Sequence, residues 1–270
     1  MPELPEVETI VRELRHHLVG RRITAVDVRW PRTIAMPAAD ELAAQLVGQQ
    51  IVGTARRGKY LLFPLANGTT LLIHLRMTGQ LHVVAAELPL DQHTHLVFDL
   101  DNRQRLIFRD TRKFGRVYLV ANAEEVVHDL GPEPLDPDFT PQALNRRLAH
   151  RKAPVKSLLL DQRVIAGIGN IYADEILFAA GIDPRRPGSS LQPGDVARIH
   201  TMLRQVLAQA IFDRGSSLAN YQRPGGGRGQ NQERHRVFRR TGLPCPNCGT
   251  PIVRIVLGQR ATHFCPQCQR

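Results

Sequence analysis

No stretch of about 18 consecutive apolar residues occurs anywhere in the chain, so the sequence offers no segment to span a membrane as a helix. The first residues are acidic and lack the basic and apolar regions of a secretory signal, and a cytoplasmic protein is expected. Internal repeats are absent. Lysine is scarce: only Lys59, Lys113, Lys152 and Lys156 occur, although the formal net charge is +11. A protein needing only positive charge has used arginine, so each lysine merits individual reading. Cysteine is absent until the last 26 residues, which rules out a disulfide framework through the body of the chain.

What is present is a 270-residue chain with 42% hydrophobic residues, enough for a sizeable core and for about two domains. Its charge is unevenly spread. From Arg223 to Arg270 there are nine arginines against the single acid Glu233, which accounts for eight of the eleven net charges. Basic charge concentrated in this way implies a polyanionic partner. Nucleic acid is favoured over an anionic membrane because no strongly apolar amphipathic helix accompanies the arginines. The four cysteines form two Cys-x-x-Cys pairs, Cys245/Cys248 and Cys265/Cys268, with sixteen residues between. That spacing fits tetrahedral Zn²⁺, and four thiolates leave no position open for water. One structural zinc ion folding a small β-hairpin module is expected.

Along the chain, Val7, Ile10, Val11, Leu14 and Leu18 recur at helical spacing behind Pro5, with Glu3, Glu6 and Glu8 complementing the positive end of the helix. Residues 22–30 alternate as a strand, and Leu42, Leu46 and Val47 suggest a short helix ending at Gly48. Strands at 59–65 and 69–75 flank Ala66-Asn67-Gly68, a hairpin turn, and further apolar runs lie at 95–100, 105–109 and 116–120. Residues 1–130 therefore predict an antiparallel β-sandwich with flanking helices. Three prolines and a glycine make 131–137 a linker. Helices are predicted from Thr140-Pro141, over 155–160, over 171–180 capped by Asn170 and stopped by Gly181, and over 196–212, giving a helical domain over 138–222. Between two of them, Gly167-Ile168-Gly169 is a turn with amides suited to facing a phosphate. Residues 223–242 hold a glycine- and arginine-rich stretch expected not to pack, as either a linker or a loop that orders over a ligand, and 243–270 form the zinc module. The fold class is α+β.

The N-terminal stretch carries its own chemistry. If Met1 is removed, Pro2 presents a secondary amine, the group that attacks a sugar aldehyde carbon to form a Schiff base.

Met1-Pro-Glu-Leu-Pro-Glu-Val-Glu-Thr9, Lys59-Tyr-Leu-Leu62, His74-Leu-Arg-Met-Thr-Gly79, Asp110-Thr-Arg-Lys-Phe-Gly115, Leu130-Gly-Pro-Glu-Pro134, Ile168-Gly-Asn-Ile-Tyr-Ala173 and the cysteine module, taken in order from end to end, resemble bacterial formamidopyrimidine-DNA glycosylase. The resemblance implies excision of oxidised purines (8-oxoguanine and formamidopyrimidines) from duplex DNA, followed by β,δ-elimination at the abasic site. It implies Pro2 as nucleophile, Glu3 as the acid–base group at the sugar, Glu6 as an assistant near the damaged base, and Lys59 as a phosphate and proton-transfer residue. Arg260, at the tip of the expected zinc-module hairpin, is implied as a phosphate grip and as proton donor in the second elimination. A base within a duplex has to be extruded before it is reached. Met77, Arg112 and Phe114 match the residues that fill the resulting gap. Lys156, Asn170, Arg151 and His93 are implied as backbone contacts within a helix–two-turn–helix framework. A monomer with no membrane partner is expected, its affinity for DNA falling steeply with salt.

The sequence departs from the family pattern at Thr111, Lys113, Val237-Phe-Arg-Arg-Thr-Gly242 and Gly229-Gln230-Asn231. The last lies where relatives carry a lesion-capping loop, while Val237–Gly242 is expected to alter only a strand entering the zinc module. Two alternatives remain open at the level of sequence: a related preference for oxidised pyrimidines, and a noncatalytic damage-binding protein on the same scaffold.

Overall fold

The structure, a computed structural model, describes residues 1–218 and 221–270. Two compact units emerge, the first comprising Met1–His128 with Arg214–Gln230, the second Asp129–Asp213 with Asn231–Arg270.

The first unit begins with α1 (Leu4–Leu18), whose face of Leu4, Val7, Ile10, Val11, Leu14 and Leu18 is wholly buried. The helix ends where Gly20 takes a left-handed conformation (φ +84°). Two sheets follow. One orders β1 (Ile23–Val28), β7 (Thr94–Leu100), β8 (Gln104–Asp110) and β6 (Gly79–Ala85), all antiparallel. The other orders β2 (Ile34–Met36), β9 (Arg116–Val120), β5 (Thr70–His74), β4 (Tyr60–Pro64) and β3 (Ala55–Arg57), antiparallel except for the short β2–β9 pair. Leu81, Phe98 and Phe108 from the first sheet share one core with Leu61, Phe63, Ile73 and Val117 from the second and with the apolar face of α1. At about 1.5–3 kcal/mol per buried large side chain, this shared layer is the main force holding the sheets face to face.

The predicted strands appear with edges moved by one or two residues. Strands β2, β3 and β6 were not legible as such, two being only three residues long. At the β4–β5 turn, Gly68 alone takes positive φ (+87°), while Asn67 accepts from the Thr69 amide and hydroxyl at 3.1 and 2.8 Å. A short α2 (Ala39–Leu46) buries Leu42 and Leu46, and α3 (Glu124–Val127) ends the β region.

Tyr221, behind the predicted flexible stretch, is buried in this same core. The stretch itself packs, contrary to expectation. Arg223 pairs with Glu13 at 2.5 Å, the Gly226 amide donates to Arg223 O, and Gly229 donates to Ser217 Oγ at 2.9 Å. Glycine here permits close approach: a Cβ on Gly229 would stand 2.1 Å from Gly215 O.

The second unit contains α4 (Pro141–Leu148), α5 (Val155–Leu160), α6 (Asn170–Ala180) and α7 (Pro193–Phe212), then the antiparallel hairpin β10 (Val253–Leu257) and β11 (Arg260–Phe264). Thr140 caps α4 by accepting from the Ala143 amide at 3.2 Å. Nearly every residue of α6 is buried, the acids Asp174 and Glu175 included, and Gly181 (φ +69°) terminates it. Gly169, not Asn170, is its N-cap, and no side chain caps it; Asn170 is the first helical residue. Val237–Gly242 forms turns rather than the expected strand, because Glu175 draws three successive amides there onto one carboxylate. Among the described residues no helix is long and apolar enough to cross a membrane.

Candidate active site and metal centre

In the first unit the N-terminus of α1 is built around carboxylates. Pro2, Glu3 and Glu6 are buried beside exposed Met1. The Glu3 amide donates to Glu6 Oε2 at 2.8 Å, and Glu6 Oε1 accepts from the Ser216 amide at 2.8 Å. Glu6 thereby ties the start of the chain to the returning segment Arg214–Gln230. Acids at this end also meet the positive pole of the helix.

Lys59 occupies the tight turn joining β3 to β4 and is only 6% exposed. That hairpin is fastened to α1 by Arg56, whose Nε lies 3.1 Å from Glu8 Oε2, while Arg12 holds the other Glu8 oxygen at 2.7 Å. Tyr60 opposes His74 across β4–β5, ring edge to face at 4.6 Å. Burial, reinforced by the Arg76 and Lys59 cations, pushes His74 down to about 3, so the ring is neutral at neutral pH. Its Nδ1 accepts from the Arg76 amide at 3.1 Å.

Gly79 and Asp110 pair at the end of β6 and β8, which places the loops carrying Met77 and Arg112–Phe114 side by side. Asp110, fully buried, joins them. Its Oδ2 accepts from the amides of Phe114 and Gly115 at 2.9 and 2.8 Å, and its Oδ1 accepts from the Arg112 amide at 3.2 Å and from the Thr78 hydroxyl. Met77 and Phe114 remain 38% and 46% exposed on these neighbouring loops, a disposition suited to insertion. The Arg112 guanidinium lies 4.6 Å from the Phe114 ring centre, and Lys113 Nζ stands 3.8 Å over Trp30. His93 borders the same loop, its carbonyl accepting from the Asp110 amide at 2.9 Å.

In the second unit Asn170 opens α6 directly after the Gly167-Ile168-Gly169 turn. Its Nδ2 donates to Ala261 O at 3.0 Å, whereas its buried Oδ1 has no hydrogen-bond partner. Arg151 is exposed at the surface, and Arg260 is exposed at the hairpin tip beside the Gly258-Gln259 turn. Lys156 departs from expectation. Its side chain is completely buried, with Nζ 2.7–2.8 Å from Ala261 O, Thr262 Oγ1 and Asp174 Oδ1. Two hydrogen bonds and an ion pair turn this buried ammonium into the protein, where it braces the hairpin instead of standing at the surface as a phosphate contact would.

The ligand atoms of Cys245, Cys248, Cys265 and Cys268 all lie within 4.8 Å of one another, with Sγ–Sγ separations of 3.9 Å (245–268) and 3.5 Å (248–265). Tetrahedral zinc with Zn–S near 2.3 Å requires sulfurs about 3.8 Å apart, and a disulfide about 2.05 Å. The cluster fits the metal. Together these cysteines hold one zinc ion, sealing the end of a small core of Phe178, Val237 and Ile252.

Three family models cover almost the whole chain: the formamidopyrimidine-DNA glycosylase N-terminal domain over residues 1–117, the formamidopyrimidine-DNA glycosylase H2TH domain over 130–221, and the zinc finger found in FPG and IleRS over 242–270. The chain belongs to the formamidopyrimidine-DNA glycosylase family. The family member from Chloroflexus aurantiacus is 51% identical over 274 residues, covering 100% of this chain and 98% of that one. Among solved structures, a point mutant of Lactococcus lactis FPG bound to Fapy-dG containing DNA superposes with a TM-score of 0.94 at 35% identity over the full length of both chains. Lactococcus lactis Fpg bound to abasic-site DNA gives 0.93 at 35% identity over 99% of each.

The sequence motifs thus gather into an amine-and-carboxylate end, a buried lysine turn and an exposed wedge within the first unit, and into a helix turn, a hairpin tip and a metal centre within the second. Sequence reasoning passed over Thr78, Asp110, Asp174 and His263. Asp110 stood inside a quoted motif, but an acid at a strand end gives no sign from sequence of four converging donors.

Proposed function

We propose that this protein is a bifunctional base-excision-repair enzyme that removes 8-oxoguanine and formamidopyrimidines from duplex DNA and then cleaves the abasic site by β,δ-elimination. The observation that carries the reading is the buried, acid-flanked Pro2 at the head of α1 in a chain matched end to end by its family. With Met1 removed, the Pro2 amine attacks C1′ as the C–N glycosidic bond breaks and the base leaves protonated. The C1′–O4′ bond then opens, O4′ takes up the proton lost by the amine, and an iminium ion remains on the ring-opened sugar. The permanently cationic iminium draws electrons from the adjacent carbon, allowing the flanking phosphates to leave in turn. Glu3 exchanges protons beside the sugar, and Glu6 assists by holding the Glu3 amide. Lys59, shielded from water, binds the lesion phosphate as a point charge and assists proton transfer.

Met77, Arg112 and Phe114 enter the stack vacated by the extruded base. Arg112 replaces hydrogen bonds lost by the orphaned partner, and Phe114 kinks the duplex. His93, Arg151 and Asn170 contact the sugar-phosphate backbone, and Arg260 both grips phosphate and donates a proton in the second elimination. The zinc ion supplies no chemistry; it fixes the fold of the module bearing Arg260. The protein works as a monomer in the bacterial cytoplasm, where its DNA is.

Borohydride trapping tests the reading. Reduction of the iminium on a duplex carrying one 8-oxoguanine opposite cytosine gives a stable covalent complex, which is lost when the N-terminus is acetylated. Trapping on an abasic site alone, or on thymine glycol in preference to 8-oxoguanine, moves the specificity. No trapping on any of them overturns the enzymatic assignment.

A further inference from the structure

Beneath the β10–β11 hairpin the second unit seals in a group of charges that nothing in the proposed chemistry uses. Lys156 from α5 and Asp174 from α6 form an ion pair at 2.8 Å with side chains 0% and 1% exposed. Further side-chain contacts of this pair run to the hairpin. Lys156 Nζ donates to Ala261 O and Thr262 Oγ1; Asp174 Oδ2 accepts from the His263 amide and lies 3.0 Å from His263 Nδ1. Asn170 adds a second donor to Ala261 O. The next helical residue, Glu175, accepts from the amides of Arg236, Val237 and Phe238 at 2.8–3.0 Å. Helix α6 therefore grips the module at the segment that enters it and at the strand that carries Arg260.

A buried ion pair is a costly way to gain stability, because desolvation consumes much of the attraction and apolar side chains of equal volume serve as well. What charges supply and apolar contacts do not is direction. Three consecutive residues, Ala261, Thr262 and His263, are each held by a hydrogen bond of fixed geometry immediately after Arg260. We propose that Lys156 and Asp174 are positioning residues that fix where the Arg260 guanidinium stands. They set its phosphate grip and its proton donation in the second elimination without touching DNA. The inference rests on the role of Arg260 given above.

The test uses the full-length zinc-loaded protein and reads two products from one abasic duplex: the unsaturated aldehyde left by β-elimination and the 3′-phosphate left by δ-elimination. Arg260→Ala is the reference and lowers the δ share. The paired variant Lys156→Met/Asp174→Leu replaces the charges by apolar groups. It is expected to keep one zinc per chain and a melting temperature near that of the parent. Its δ share should fall about tenfold and its duplex Kd rise about tenfold, the scale of one lost hydrogen bond to a charged group. Thr262→Val, which removes a single anchor and keeps the volume, should shift the δ share in the same direction by a smaller factor, and it decides the matter if the paired variant does not fold. A paired variant that folds with parental δ share and Kd, or a Thr262→Val with parental δ share where the paired variant does not fold, overturns the inference while Arg260 keeps its role. An Arg260→Ala that leaves the products unchanged overturns both.

Discussion

Thr78 donates its hydroxyl to Asp110 inside the base of two loops that are distant in sequence, and Thr78 Oγ1 in turn accepts from the Arg112 amide at 3.2 Å. Through this contact the loop bearing Met77 and the loop bearing Arg112 and Phe114 become one object. A wedge that already has its shape loses little entropy on entering a duplex, which is the advantage of preorganisation.

Replacing Asp110 by Ala leaves the Phe114 and Gly115 amides without their acceptor inside the protein. At about 1–3 kcal/mol for each buried unsatisfied group, the wedge loop should rearrange, and excision of 8-oxoguanine from duplex DNA should drop by at least about tenfold in kcat/KM. The lyase reaction on an abasic site in single-stranded DNA requires no wedge and should change far less. Equal losses on both substrates would show that Asp110 acts on the fold at large.

Buried histidines give the stability a pH signature. His74 is pushed down to about 3 and His235 to about 4, each first by burial, with Arg76 and Lys59 adding to the effect on the former and Arg239 on the latter. The unfolded chain takes up these protons near pH 6.5 and the native protein does not, so stability is complete above about 6.5 and declines as the pH falls towards 3–4. For His74 alone the loss reaches about 5 kcal/mol across that window, at about 1.36 kcal/mol per pH unit. Melting temperatures measured from pH 7 to 4.5 should fall, and His74→Gln should flatten the curve. A level curve for the parent protein would contradict this account.

Much of this architecture was legible because period and punctuation agree. Val7, Ile10, Val11, Leu14 and Leu18 announce α1, and the pairs Cys245/Cys248 and Cys265/Cys268 announce a metal site that three dimensions then close. Less legible were short edge strands such as β2 and β3, which carry too few residues to show a period. Lys156 shows a deeper limit. Its scarcity marked it for attention, yet whether an ammonium faces solvent or Asp174 depends on contacts more than a hundred residues ahead, at Ala261 and Thr262. Pro2 and Lys59 came from motif and chemistry; Asp110 and Asp174 needed the folded chain.

Zinc removal should separate the two units functionally. Structural zinc contributes about 10–16 kcal/mol in isolated fingers, at or above the net stability of a typical domain of about 5–15 kcal/mol, so the module containing Cys245 and Cys265 should unfold without it. Arg260 is then lost to DNA. Cys265→Ser/Cys268→Ser should abolish duplex binding in a mobility shift, while β-sheet circular dichroism, which arises mostly from the first unit, persists. Undiminished binding without bound zinc would remove the module from the DNA interface.

The glycine-rich stretch offers the sharpest contrast between composition and structure. Gly225 has open space where a Cβ would go, whereas a Cβ on Gly229 would meet Gly215 O at 2.1 Å and Arg214 O at 2.5 Å. Those carbonyls are backbone and cannot swing aside, and the Gly229 amide is held by Ser217 Oγ on the segment whose Ser216 amide binds Glu6. Gly229→Ala must therefore push that segment away from the carboxylate that supports the start of α1. We expect a destabilisation of about 1–3 kcal/mol, the usual cost of overpacking, together with slower iminium trapping. Gly225→Ala, four residues earlier in the same glycine-rich run, should stay within about 0.5 kcal/mol of the parent and trap at the parental rate. If both substitutions are silent, the stretch is as loose as its composition suggests and Glu6 draws no support from it; if only Gly229→Ala slows trapping, the packed segment is part of what holds the nucleophile's neighbourhood in place.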